Sequence, residues 1–334
     1  MTTLHQEPAP AKVPVSPRSR ALAGGQRLLG DWGSELALAT IIILLGALIS
    51  VFNDRFLTYG NLINVLQAIS VVGIAGIGAT LIIISGKLDL SVGSTLGYSG
   101  LVGALAMQGQ FPALGIPAGI AVGAAVGAVN GLLVTYGRVN AFIATLGMLS
   151  VVRGLALVTT DGAPQNVPDS LLFIGQGRIA GVPVSVVILL GLVVVAQLFL
   201  SRSVTGRRIT AVGDNQRAAY LAGIPVQRTV VLAFVLAGGF AAVAGLVNAS
   251  NLALATTDAG TGLELDIVAA VIVGGTSLMG GRGSIVGSLL GACLLGLLRN
   301  AFVLLHLSPY LQVTAIGAVI ILAALIDQLR QRRS

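Results

Sequence analysis

Residues 205–228 read TGRRITAVGDNQRAAYLAGIPVQR. This is a polar island between two long apolar runs. Five arginines lie in or beside it: Arg202, Arg207, Arg208, Arg217 and Arg228. The stretch predicts a short amphipathic helix of about ten residues with its own boundaries. Asp214 or Asn215 can cap its start, because a short side-chain oxygen accepts the free amides of a first turn. Gly223 suits the left-handed residue that ends a helix, and Pro225 forbids continuation. A helix of about ten residues rises about 15 Å, half the hydrocarbon thickness of a bilayer. Two readings stand side by side. The island is a handle gripped by another protein, or a solvated basic loop that only fixes topology.

Outward from the island the chain is apolar. Hydrophobic residues make up 55% of its 334 residues and charged residues 9%, with a mean hydropathy of +0.95. Soluble domains carry about a quarter charged residues. The expected fold class is therefore an all-α polytopic membrane protein. Ten apolar segments are expected, at 36–51, 61–85, 91–108, 114–136, 140–160, 183–200, 229–250, 263–278, 283–305 and 309–326. The third and eighth are short and interrupted by glycine, so each is read as a full span or as a re-entrant or broken one.

Residues 1–35 carry prolines at 8, 10, 14 and 17 and read as a disordered cytoplasmic tail. Their charge and proline content do not fit a signal peptide. Trp32 is placed at the membrane interface. Residues 36–328 form the transmembrane domain, with the cytoplasmic loop at 202–228, and 329–334 a basic cytoplasmic tail.

Basic residues orient these segments. With the N-terminus in the cytoplasm and the segments alternating, fifteen of the nineteen lysines and arginines fall on the cytoplasmic side. Arg55 and Arg178 fall outside, and Arg153 and Arg299 within spans. This is the positive-inside pattern, and it places both termini in the cytoplasm. The net charge of +7 thus reflects the membrane and gives no reason to invoke nucleic acid.

The chain holds 45 glycines. Gly115, Gly119, Gly123, Gly127 and Gly131 recur every four residues, as do Gly283, Gly287 and Gly291. Such stripes let another helix approach backbone to backbone, within one chain or between two copies.

Polar residues inside a membrane are costly and therefore informative. Asn64 and Gln67 share one helical face and can bond a polyol or tie two helices together. Arg153 and Arg299 can snorkel, face a watery path or bond carbonyls. In the turn 86–93, Asp89 or Ser91 can cap the following helix, with Lys87 near enough to pair; Asp89 is also the one candidate for proton coupling. Glu264 and Asp266 read as helix-start carboxylates or as contacts for a basic partner. Asn64, Gln67, Asp89, Ser91 and Arg153 are the candidates for a substrate pathway.

Catalytic and metal signatures are missing from the sequence. The two lysines, Lys12 and Lys87, do not sit in a GxxxxGK[ST] loop. Lone Cys293 and the distant pair His5 and His306 do not suggest a disulfide or a metal site. The chain reads as a transporter, channel or scaffold rather than an enzyme.

Four stretches resemble the membrane permease subunits of bacterial ribose/xylose-type ABC sugar importers. They are NLINVLQAIS at 61–70, GKLDLSVGS at 86–94, AVGDNQRAAYLAGI at 211–224 and GLELDIVAAVIVGGTSLMGGRGSIVGSLLGA at 262–292, with LSPYLQ following at 307–312. Lys87 stands where a second glycine is common, Leu263 where an aromatic residue is common, and Gln216 and Arg217 where acids are common. The resemblance implies a plasma-membrane permease that works as two copies, a homodimer or a pair with a related chain. A cytoplasmic ATPase carries the ATP and magnesium, so this chain binds no cofactor. An extracytoplasmic binding protein delivers a sugar, expected to be a pentose or a relative. The island becomes a coupling helix at 214–222, with Gly213, Asp214, Asn215, Ala218, Ala219 and Gly223 at the ATPase contact and Arg207 and Arg208 as flanking anchors. The rivals are an ion-coupled secondary carrier, a passive channel, and the same family acting on a nucleoside, autoinducer or other polar substrate.

Overall fold

A computed structural model describes residues 17–331. Thirteen α-helices follow in chain order: α1 (Pro17–Phe52), α2 (Tyr59–Ile84), α3 (Val92–Gln108), α4 (Gly115–Thr135), α5 (Ala141–Thr160), α6 (Asp169–Gln176), α7 (Val184–Arg202), α8 (Val204–Asp214), α9 (Gln216–Leu221), α10 (Val226–Leu252), α11 (Leu263–Val273), α12 (Ile285–Leu304) and α13 (Pro309–Gln331). Every expected apolar segment contains a helix. Among the described residues, seven helical stretches are long and apolar enough to cross a membrane. They are Glu35–Phe52 of α1, α2, α4 with its leading 3-10 turn, α5, α7, α10 and α12.

The other three segments fall short by that measure. α3 has 17 residues and α11 has 11, and among the described residues the apolar stretch found in α13 is Tyr310–Leu322. At 1.5 Å per residue α11 rises only about 16 Å. It stops because Gly274 and Gly275 follow, and Gly275 turns the chain with φ +90.

The N-terminal helix begins earlier than the sequence suggested. Residues 17–35, expected in a disordered tail, are the start of α1. Pro17 stands at the first helical position, where its fixed φ suits a helix, and no proline follows up to Phe52. The rest of that tail, at 1–16, and the last residues, 332–334, lie outside the described residues.

α2 is the buried axis of the bundle. Its residues from Val71 to Ile84 are almost all shielded, and it packs on α10, α12, α11 and α7. A Cβ on Gly78 would stand 2.7 Å from the Ala237 Cα, so α2 and α10 meet backbone to backbone. The glycine stripe of α4 does the same on the other side of α10. A Cβ at Gly123 would strike the Gly238 carbonyl, one at Gly127 the Phe234 carbonyl, and one at Gly131 would lie 2.8 Å from the Val231 Cα. The shorter stripe of α12 rests on α11, with Gly287 against the Gly274 carbonyl and Gly291 against that of Ala270. Both stripes are occupied within the chain. Lipid gives helices no hydrophobic reason to associate, so this close van der Waals contact carries much of the packing.

Polar ties supplement it. The Thr80 and Ser288 hydroxyls lie 2.7 Å apart between α2 and α12. Asn61 and Asn300 exchange amide hydrogen bonds across the same pair of helices. The loop 161–182 folds back onto α10 through α6. Ser250 on α10 donates to the Leu171 carbonyl and accepts from the Gly175 amide, each at 2.7 Å.

Candidate functional site

The island contains two helices rather than one. Ser203 caps α8 by accepting from the Gly206 amide at 2.8 Å, and Asn215 caps α9 by accepting from the Ala218 amide at 2.9 Å. Asp214 does not cap: it is the last residue of α8 and is exposed. α9 is six residues long, shorter than expected. Its end matches the sequence reading. Gly223 has φ +79, the Gly223 amide bonds the Tyr220 carbonyl and the Ile224 amide that of Ala219. Pro225 then stands at the N-cap of α10. The missed helix α8 had a local signal: Ser203 three residues before Gly206, then Ile209 and Val212 at helical spacing, all three of the latter buried.

The island has an inner and an outer face. Ala219 is buried with Ile82, Val212, Val226 and Val230. Its small side chain lets α9 approach its own bundle, which corrects the expectation that it faces a partner. Gly213 also points inward. A Cβ there would collide with the Ile84 carbonyl at the end of α2, and that same carbonyl accepts from the Gly281 amide at 2.8 Å. Outward face Asp214, Asn215, Arg217, Ala218 and Gly223, together with Tyr220, 65% exposed, and Leu221, 77% exposed. Arg207 and Arg208 on α8 are exposed too, and Arg207 bonds the Arg202 carbonyl at 2.9 Å.

At the far ends of α2 and α10 lies a cavity of about 340 Å³. Asn64 and Gln67 enter it from α2, Asn248 and Asn251 from α10, Asp266 from α11 and Arg299 from α12. Ile69, Val72 and Leu295 give it apolar wall. Arg299 and Asp266 form an ion pair across it. Gln67 donates to the Gly175 carbonyl at 2.8 Å, so it ties α2 to α6. Asn64 and Asn248 make no side-chain hydrogen bond among the described residues, and the Asn251 side-chain oxygen is buried without one.

The other pathway candidates sit elsewhere. Asp89 and Ser91 do not line this cavity. The Asp89 carboxylate accepts from the Ser91 amide at 2.8 Å and the Ser91 hydroxyl at 2.6 Å, and Asn130 of α4 donates to that hydroxyl at 2.9 Å. This cluster closes the α2–α3 turn. Burial pushes the Asp89 carboxyl above its ordinary value, and the two bonds from Ser91 oppose that shift. No ion pair joins Asp89 to Lys87. Arg153 donates to the Thr257 and Ala259 carbonyls at 2.9 and 3.0 Å. It braces the segment before α11 instead of snorkelling.

The residues missed by the sequence are Asp266 and Arg299 as a pair. Glu264 behaves as a helix-start carboxylate and accepts from the Gly262 amide at 3.2 Å, but Asp266 reaches across to α12. The signal was weak: Asp266 read as a helix-start carboxylate or a partner contact, and Arg299 as a separate arginine within a span.

Comparison with known proteins places the chain. The family model described as branched-chain amino acid transport system / permease component matches residues 61–324. The ribose import permease protein of Escherichia coli (strain K12) is 40% identical over 94% of this chain and 99% of its own length. That of Bacillus subtilis (strain 168) is 40% identical over 86% of this chain and 90% of its own. The L-arabinose ABC transporter permease protein of Azospirillum brasilense is 33% identical over 99% of each. No solved structure gives a significant match. With the family model covering most of its length and relatives aligned nearly end to end, the chain belongs to this permease family, the membrane-embedded, non-catalytic transport subunits of ABC importers.

Proposed function

We propose that the chain imports a neutral monosaccharide, a pentose or a close relative, across the plasma membrane with both termini in the cytoplasm. A binding protein outside delivers the sugar, a second permease copy completes the path, and a cytoplasmic ATPase supplies the energy. The observation that carries this reading is the separation of two features along the same helices. The polar cavity lies where α10 ends, and the capped island lies where α10 begins. α10 has 27 residues, about 40 Å of helix, enough to cross the hydrocarbon layer. The distribution of basic residues puts the island in the cytoplasm and the cavity toward the outside. The names of the ribose and arabinose relatives agree with a sugar cargo.

Arg217, Ala218, Tyr220 and Leu221, presented by α9, form the contact for the ATPase, with Asp214, Asn215, Arg207 and Arg208 around them. Gly213, Ala219 and Gly223 act from behind by seating α9 on the bundle.

An ion-coupled carrier would need a titratable group in the path, and Asp266 is an acid lining the cavity. Its ion pair with Arg299 gives it a structural partner instead of leaving it available to a travelling ion. Proteoliposomes separate the two readings. Labelled ribose should accumulate only when ATPase, ATP and binding protein are all supplied. Uptake by the permease alone, driven by a proton or sodium gradient, would overturn the proposal.

A further inference from the structure

We propose that the cavity between α2, α10, α11 and α12 is a polyol-binding subsite, in which Asn64, Asn248, Asn251 and the Asp266–Arg299 pair bond the hydroxyls of the passing sugar. The inference rests on the sugar-import reading and deepens it by naming the groups that meet the cargo.

Unmet hydrogen-bonding capacity is the first argument. Asn248 and Asn251 stand on a membrane-spanning helix, where polar side chains are expensive. Asn61 and Asn300 satisfy each other in this bundle, as do Thr80 and Ser288, whereas these two are left short of partners. Asn251 reaches only the Gln67 carbonyl, at 3.5 Å through its amide nitrogen, and its oxygen is buried and unpartnered. Asn64 and Asn248 have no side-chain partner among the described residues. The buried Asn251 oxygen costs free energy until a partner arrives, while the exposed Asn64 and the half-buried Asn248 hold free hydrogen-bonding capacity at the cavity. An amide offers two donors and an acceptor, and a hydroxyl is both donor and acceptor, so a polyol satisfies such a set in any local orientation.

Charge narrows the ligand class. The Asp266 and Arg299 charges cancel, and every other polar group lining the wall is an uncharged amide. An anion or a cation alone would meet a net-neutral site. A zwitterionic amino acid would have to split the pair, taking Arg299 with its carboxylate and Asp266 with its ammonium. A neutral polyol avoids that loss. The pair uses one carboxylate oxygen and one guanidinium nitrogen, and the second carboxylate oxygen and the other guanidinium nitrogens have no partner among the described residues. They can accept from and donate to hydroxyls while the ion pair stays closed. The volume of about 340 Å³ lies at the small end of the roughly 300–1,000 Å³ range of small-molecule sites. The Ile69, Val72 and Leu295 wall suits the C–H faces of a sugar ring.

The test is uptake by the complete transporter in proteoliposomes, with labelled ribose, 2-deoxyribose and leucine. Asn251→Ala and Asn248→Ala should each raise KM for ribose about tenfold, the scale of one lost hydrogen bond, with a smaller change in kcat. They should also shrink the preference for ribose over 2-deoxyribose, which a purely structural role would not move. Should Asn251→Ala fail to insert, Asn248→Ala carries the same test. Wild-type KM and wild-type preference in the inserted variants would remove the subsite while leaving sugar import standing. A wild-type protein that carries leucine and neither pentose would remove the sugar reading and the subsite with it.

Discussion

Two buried carboxylates in this permease have opposite surroundings. Asp89 sits in the turn between α2 and α3 and takes both of its side-chain hydrogen bonds from Ser91, two residues away. Asp266 sits at the start of α11 and is held by an arginine on a different helix, beside open volume. The first arrangement is local and closed, and it shapes a turn. The second joins two helices and leaves further bonding capacity facing a cavity. An acid in a membrane protein is therefore not in itself a functional marker. What separates the two is whether the carboxylate is satisfied by its own loop.

Substitutions can break or sharpen this contrast. The largest effect is expected for Arg299→Leu, which leaves Asp266 buried without its partner. Breaking a buried pair costs about 3–5 kcal/mol, and the 38% exposure of Arg299 places this one near about 3 kcal/mol. Thermal melting in detergent should fall clearly. Adding Asp266→Leu should restore most of the loss, because a buried pair is replaceable by apolar side chains, yet sugar uptake should stay low. Recovery of uptake along with stability would deny the pair any part in transport.

Asp89→Ala should cost about 2 kcal/mol by stripping two bonds from Ser91, and remaining uptake should keep its wild-type KM. Gly223→Val forces a β-branched residue to φ +79, at about 1–2 kcal/mol. The space there is open, so the damage should stay in the α9–α10 joint. ATP-dependent uptake should fall while the inserted amount holds. Wild-type uptake in that variant would detach α9 from coupling.

The smallest effect belongs to Asp89→Asn. An asparagine oxygen still accepts both Ser91 bonds, so the change should be under about 1 kcal/mol. It should, however, alter the response to pH. Because the Asp89 carboxyl is raised on folding from 3.8, the folded protein holds this proton more tightly than the unfolded chain. Its contribution to stability is full below 3.8 and shrinks as pH rises toward the folded value. The asparagine variant should show a flatter melting profile across that window.

Much of the fold was legible because lipid imposes a simple rule on sequence. Each apolar run between breakers became a helix, and the island's stop signals, Asn215, Gly223 and Pro225, fell where they were needed. Crossing length was less legible. Hydropathy carries through 263–278, but Gly274 and Gly275 end α11 early. The inside and outside of the island were partly misjudged, since periodicity shows that Ala219 has a face without showing what covers it. The Asp266–Arg299 pair was illegible for a similar reason. Thirty-three positions separate the two residues, and only the packing of α11 on α12, through Gly287 and Gly291, sets them side by side.

The contact between Gly213 and the end of α2 has a mechanical consequence. Where helices meet through side chains, a small displacement is absorbed by rotamer changes before it travels further. At this joint the Gly213 backbone abuts the Ile84 carbonyl with no side chain between them. Nothing there can yield except the helix itself. α2 is one continuous helix of 26 residues, about 39 Å, with Ile84 at one end and Asn64 near the other. Motion imposed on the island therefore reaches the polar cavity as displacement of a single rod, and its losses are set by the bending stiffness of α2.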